Sequence, residues 1–174
     1  MHIILELDAR DYEAGMPVTV RHAVRGLISR ADGLWLMQIA SDGMFKLPGG
    51  GVEANETHED TLRRELLEET GTMLVEGSMH PVGEIVERRR DVYDHGRIFE
   101  QHSYYYVCQI EDTGLPLALS ESELAWGLAP VWRSLDEVLE ANMQHSGEYW
   151  LFRDTAFIRW LLSHPEVITE GEKA

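Results

Sequence analysis

Residues 50–72 read Gly50-Gly51-Val52-Glu53-Ala54-Asn55-Glu56-Thr57-His58-Glu59-Asp60-Thr61-Leu62-Arg63-Arg64-Glu65-Leu66-Leu67-Glu68-Glu69-Thr70-Gly71-Thr72. A glycine-rich turn, Pro48 to Gly51, leads into a helix expected from about Thr57 to Thr70. Thr57 is a suitable N-cap, with Glu59 and Asp60 in the first turn where they complement the helix dipole. Gly71 suits the left-handed position that ends a helix. Residues three and four apart on a helix are neighbours, so Glu65, Glu68 and Glu69 converge on one face. Left alone they repel each other. A hard divalent cation removes the conflict, because Mg²⁺ and Mn²⁺ prefer carboxylate oxygens and keep several water ligands. Metal-assisted chemistry is the expectation. Leu62 and Leu66 form an apolar stripe beside the acids, so the helix can pack on a sheet while its carboxylates line a cleft.

The same stretch resembles the Nudix box, G-x5-E-x7-R-E-U-x-E-E-x-G-U with U a bulky aliphatic residue. Gly50, Glu56, Arg64, Glu65, Leu66, Glu68, Glu69 and Gly71 all stand at the required spacing, and Thr72 replaces the last aliphatic residue. Phe45 to Gly50 and Trp132 to Glu137 are also similar to their counterparts in that family. The resemblance implies an α/β/α sandwich around a mixed sheet. It also implies hydrolysis of a pyrophosphate bond in a nucleoside diphosphate derivative, such as a nucleoside triphosphate, a nucleotide sugar or an ADP-ribose-like compound. Mg²⁺ or Mn²⁺ is the implied cofactor. The alternatives are a non-catalytic ligand sensor on the same fold, or a hydrolase of a dinucleoside polyphosphate or inositol pyrophosphate.

Metal-assisted attack of water on phosphorus needs no covalent nucleophile from the protein. By resemblance, Glu68 and Glu69 are metal ligands, and Glu65 is a ligand or a base on the metal-bound water. Glu56 reaches a metal through water, and the Gly49 carbonyl completes the coordination. Arg64, one turn before Glu68, is expected to hold a carboxylate in position. The general base stays open between a box glutamate and a distant one, with Glu121 and Glu123, in a loop expected before Trp126, the best distant candidates and Glu100 and Glu111 weaker ones. Arg88, Arg89, Arg90 and Arg97 form the basic cluster of an acidic chain, near Tyr93 and Phe99. Guanidinium groups grip phosphate bidentately and stack on bases. Substrate binding is therefore expected at Arg88, Arg90, Arg97 and the turn at Gly50, with Arg21 and Arg25 as further candidates. His58 is expected to be exposed at the first helical turn.

A net charge of −16 argues against a nucleic acid polymer as partner, since those are gripped by basic surfaces. A small anionic substrate is still allowed, because a bound cation dominates its local field. No apolar run approaches the ~18 residues of a membrane span, and Met1 to Glu6 does not read as a signal peptide. The single cysteine, Cys108, excludes an internal disulfide and points to a buried strand residue in a reducing cytoplasm. The 174 residues suit a single domain. Residues 1–16 are an extension that could cross to a partner chain in a homodimer, and 145–174 are a C-terminal helical segment.

Strands are expected near residues 2–7, 18–29, 34–39, 79–88 and 98–110, with a hairpin loop at 89–97. A short strand is expected over 125–132. Ser134 and Glu137 make a capping box that opens a helix to about Met143, and an aromatic-rich helix follows from Tyr149 to Ser163. The tail, 170–174, is expected to fray.

Overall fold

The computed structural model describes residues 1–145 and 149–167, the side chains of 149–151 apart. The expectation for the tail at 170–174 lies outside the described residues.

The elements run β1 (Ile3–Asp8), β2 (Val18–Leu27), β3 (Trp35–Ile39), β4 (Phe45–Lys46), α1 (His58–Thr70), β5 (Thr72–Leu74), β6 (His80–Arg90), β7 (Ile98–Val107), β8 (Ile110–Asp112), α2 (Glu121–Trp126), β9 (Ala129–Arg133), α3 (Leu135–Met143) and α4 (Tyr149–Ser163). The main sheet has the order β1-β6-β7-β2. It is mixed: β6 and β7 are antiparallel, while β1 runs parallel to β6 and β2 parallel to β7. Strands β4, β3 and β9 form an antiparallel sheet, and β5 pairs with β8. The N-terminal residues considered as an arm to a partner thus supply an edge strand to the chain's own sheet.

Two apolar layers make this an α/β/α sandwich. On one face Leu27, Met37, Ile85 and Tyr105 pack against Val138 of α3 and Phe157, Ile158 and Leu161 of α4. On the other, Val24, Ile28 and Leu36 pack against Leu62 and Leu66 of α1. The i,i+4 leucine pair thereby pins α1 to the sheet and turns its glutamates sideways. Both ends of α1 match the sequence. Thr57 and Asp60 close a capping box, and Gly71 sits at φ 67° and donates to Leu66 and Leu67.

Residues 121–126 differ from expectation. The loop and the strand expected from Ala125 are replaced by α2, and β9 begins only at Ala129. Ser120 and Glu123 form a capping box, and Gly127 ends the helix at φ 65°. Strong caps at both ends hold a helix of six residues that buries none of them. Among the described residues, no helix is long and apolar enough to cross a membrane.

Candidate active site

The turn after β4 is laid along the free edge of β2. Val24 N donates to Gly50 O at 2.9 Å, Gly26 N to Pro48 O at 3.0 Å, and Val52 N to His22 O at 2.9 Å. Such close approach leaves no room for side chains. Gly49 has φ 123°, and a Cβ there would lie 2.2 Å from Val24 O. A Cβ on Gly50 would lie 2.0 Å from Glu65 Oε1. Gly49→Ala should therefore destabilise the protein by more than about 1 kcal/mol, through strain at positive φ and collision with backbone. Urea unfolding checks this, and an unchanged midpoint would count against the close approach.

That turn faces α1, and the carboxylates gather where they meet. Glu69 is 1% exposed and Glu65 8%. Gly49 N donates to Glu69 Oε2 at 2.7 Å, and Lys46 Nζ to Glu69 Oε1 at 2.9 Å. Burial raises the Glu69 pKa above its ordinary value, against the opposing pull of Lys46 and the Gly49 amide. Glu123 reaches the same place from α2: oxygens of Glu65, Glu69 and Glu123 lie within 4.8 Å of one another. Its Oε2 accepts from Ser120 N and Oγ, both at 2.8 Å. Burial would raise the Glu123 pKa, and the Ser120 hydrogen bonds outweigh it and lower it.

Arg64 clamps the rim. Its Nε and Nη2 reach the two oxygens of Glu56 at 2.7 and 3.1 Å, and Nη1 reaches Glu65 at 2.8 Å and Glu68 at 3.3 Å. Arg64 Nη2 also donates to the Gly51 carbonyl at 3.2 Å, tying helix to turn. Glu68 is on this rim, more exposed than Glu65 and outside the three-carboxylate cluster. The Arg64 hydrogen bonds hold the Glu56 carboxyl down at about 2. A depressed carboxylate pKa contributes stability above the ordinary value, and that contribution is lost as pH falls towards the lowered one. Carboxyl-carbon NMR should place the Glu56 midpoint near 2. In Arg64→Met it should rise towards the ordinary carboxylate range, held below it by the remaining hydrogen bonds from Glu53 N and Thr61 Oγ1. Equal midpoints in the two proteins would show that Arg64 is not the cause.

The structure thus brings Glu65, Glu69 and Glu123 together, lines them with Gly49 and Gly50, and places Arg64, Glu56 and Glu68 at the edge. The hairpin arginines lie elsewhere. Arg97 Nε donates to Thr19 Oγ1 at 2.6 Å, and its Nη2 to Val18 O at 3.2 Å. Val18 is six residues from Val24 on β2, about 20 Å at the rise of a strand. Arg88 pairs with Glu100. Arg90 donates to Asp11 O at 2.8 Å and His95 O at 3.0 Å. Arg89 stacks on Phe99 with its guanidinium 4.3 Å from the ring centre. His58, expected to be exposed, is half-buried because the first turn of α1 lies over β7. Its Nδ1 is 2.6 Å from Tyr106 Oη, and burial lowers its pKa. Cys108 is buried with its thiol pushed up to about 12, which leaves it inert as a nucleophile.

Sequence reasoning passed over Lys46 and Gln38. Lys46 had a visible signal, being one of two lysines in the chain and adjoining the Leu47-Pro48-Gly49-Gly50 turn. Gln38 had only its polarity within an apolar strand. Arg21 is exposed, with Nη1 2.8 Å from Gln101 Oε1 and its guanidinium beside Gly51. Arg25 is buried, and its Nε and Nη1 have no hydrogen-bond partner among the described residues.

Carboxylates from α1 and α2 thus gather beside a glycine turn inside an α/β/α sandwich, an all-oxygen donor set of the kind a hard divalent cation would suit. The NUDIX domain family model matches residues 19–153. A nucleoside triphosphatase NudI from Escherichia coli O139:H28 is 31% identical over 103 residues, covering 55% of this chain and 73% of that protein. The NudI of Shigella flexneri matches to the same extent. Among solved structures, a NUDIX hydrolase from Nitrosomonas europaea aligns with TM-score 0.53 at 17% identity, covering 78% of this chain and 88% of its own. A MutT from work on Aliivibrio salmonicida and Vibrio cholerae aligns with TM-score 0.51 at 16% identity, covering 87% and 99%. At such identities these two structures speak for the fold. The chain belongs to the Nudix family and is a Nudix hydrolase, an enzyme acting on acid anhydrides.

Proposed function

We propose that this protein hydrolyses the pyrophosphate bond of a nucleoside triphosphate or a related nucleoside diphosphate derivative, using Mg²⁺ or Mn²⁺. The observation that carries this is the convergence of Glu65, Glu69 and Glu123 beside the glycine turn. The donor set fits the cation, since three carboxylates offer hard oxygen ligands and no sulfur or imidazole intrudes. In this account Glu65, Glu69 and Glu123 hold the ion, with Glu68 one helical turn from Glu65 and the Gly49 carbonyl as further oxygens. Glu56 acts from behind Arg64. A bound divalent ion neutralises phosphate oxygens and lowers the pKa of a coordinated water.

The chain's own residues supply position and proton transfer. Arg64 keeps Glu65 turned towards Gly50, while the backbone of the turn, free of side chains, lets the phosphate chain approach. Glu123 carries no arginine clamp and has one oxygen outside its helix cap, so it is the candidate to take the proton of the attacking water. An oxygen–phosphorus bond then forms from water as the anhydride oxygen–phosphorus bond breaks and the leaving phosphate departs. Arg21, exposed beside Gly51, is the arginine best situated to meet a phosphate. The nucleoside triphosphate is favoured by the relatives named for that activity. A small-molecule nucleotide, no nucleic acid polymer and a cytoplasmic location complete the proposal, which agrees with the acidic charge and the lone buried cysteine.

A panel of nucleoside triphosphates, nucleotide sugars and ADP-ribose, each with Mg²⁺ or Mn²⁺, tests this. Cleavage in ¹⁸O-labelled water should put label on a phosphate product, and it should cease with chelator. No turnover of any member would overturn the proposal.

A further inference from the structure

The chain carries two lysines against thirteen arginines, and one of the two sits at the carboxylate cluster. The Lys46 side chain is 12% exposed, and its ammonium lies 2.9 Å from the buried Glu69 carboxylate. It occupies ground that a bound cation would claim. A second polar group lies close by. Gln38 is directly opposite Lys46 in the β3–β4 ladder. Opposed residues of an antiparallel pair leave the same face with Cβ atoms about 5 Å apart. Gln38 is fully buried, and neither atom of its amide has a hydrogen-bond partner among the described residues. Two residues earlier on that face, Leu36 packs with Leu62 and Leu66 of α1. Gln38 therefore lies beneath the next part of the same helix, the part that carries Glu69.

A buried amide without partners carries its desolvation penalty uncompensated. Lys46 can answer the carbonyl half of this: its ammonium now serves Glu69, and the Gln38 carbonyl stands across the ladder as a second acceptor. We propose that Lys46 is an exchangeable counter-ion. It neutralises Glu69 while the site holds no metal, and it transfers to the Gln38 side-chain carbonyl when a divalent cation takes up Glu65, Glu69 and Glu123. The inference rests on the cation site proposed above. Lysine suits the role, being a compact point charge on a flexible four-carbon stem, whereas an arginine would hold its carboxylate through a planar fork, as Arg64 does with Glu56. An ammonium left against Glu69 beside a divalent ion would face like charge at short range. The Gln38 carbonyl gives it a neutral acceptor without leaving the protein. The exchange keeps Glu69 from ever standing as a bare buried carboxylate. In return it weakens cation binding, since the ammonium has to be displaced.

The test is Mn²⁺ affinity by calorimetry on the full chain as wild type, Lys46→Met, Gln38→Leu and the double variant. Lys46→Met should bind Mn²⁺ more tightly, because nothing has to be displaced. Gln38→Leu should bind it more weakly, because the displaced ammonium has no acceptor. In the double variant the Gln38 change should have no further effect, which requires a coupling on the order of threefold or more. Effects that multiply independently, or a Gln38→Leu protein with wild-type affinity, would overturn the exchange. A wild type that binds no Mn²⁺ would instead remove the cation site beneath it. A readout on the wild type needs no variant to fold. With only Lys46 and Lys173 to resolve, the ¹⁵Nζ signal of Lys46 should move on saturation with Mg²⁺. A stationary signal at saturation would be decisive against the proposal.

Discussion

Arg153→Met should lower the melting temperature by about 10 °C, the larger of the two stability effects expected here. Arg153 of α4 is 3% exposed and joins two buried acids. Its Nη1 is 3.0 Å from Glu87 Oε2 on β6, and its Nε 3.3 Å from Asp154 Oδ1. Asp154 is fully buried and accepts otherwise only from Leu47 N at 3.4 Å, among the described residues. Glu87 keeps Arg89 at 3.0 Å. Removing one member of a buried charge group leaves its partner desolvated and uncompensated, at about 3–5 kcal/mol. A domain of this size loses about 2–4 °C per kcal/mol. Melting followed by circular dichroism checks the figure. A fall of only a degree or two would mean that solvent reaches Asp154 despite its burial. Removing Glu87 and Asp154 charges together with Arg153 should cost less, because no unpaired charge then stays inside.

Glu69→Gln should reduce turnover at least ~100-fold, since replacing even an outer partner of a metal ligand costs 10–100-fold and Glu69 is assigned as a ligand itself. The amide keeps the shape of the side chain and still accepts from Gly49 N, which now donates to Glu69 Oε2 at 2.7 Å. What it loses is the negative charge in the most buried part of the cluster. Calorimetry with Mn²⁺ should show weaker binding in parallel with the lost rate, while the circular dichroism spectrum is unchanged. Full activity in a folded Glu69→Gln protein would sink the assignment of the site.

The elements that could be read from sequence are those whose causes are local. Thr57, Asp60 and Gly71 bound α1 because capping groups lie within three residues of the backbone they satisfy. Ser134 and Glu137 bound the start of α3 in the same way. The box glutamates were legible because their spacing is that of one helix face. Ser120 and Glu123 carry the same capping signature, yet α2 offers no apolar stripe to announce a helix. The hairpin arginines were misleading in another respect. Proximity in sequence gathers charges, but Arg88, Arg90 and Arg97 each find partners within their own hairpin and its neighbours. Glu87 and Arg153 meet only because α4 closes over β6, 66 residues away in sequence. No periodicity or motif encodes that encounter.

Glu123 closes the start of α2 through one oxygen and stands with Glu65 and Glu69 through its carboxyl group. Local folding and the proposed cation site therefore share one side chain. Each time residues 120–127 open, the cluster loses a carboxylate. On the cation site proposed above, each ion captured would make that opening rarer. Amide hydrogen exchange at Ser120 and Gly127 would then be a gauge of occupancy, slowing as the cation concentration rises, with the six-residue helix a hasp whose closure is set by what it encloses.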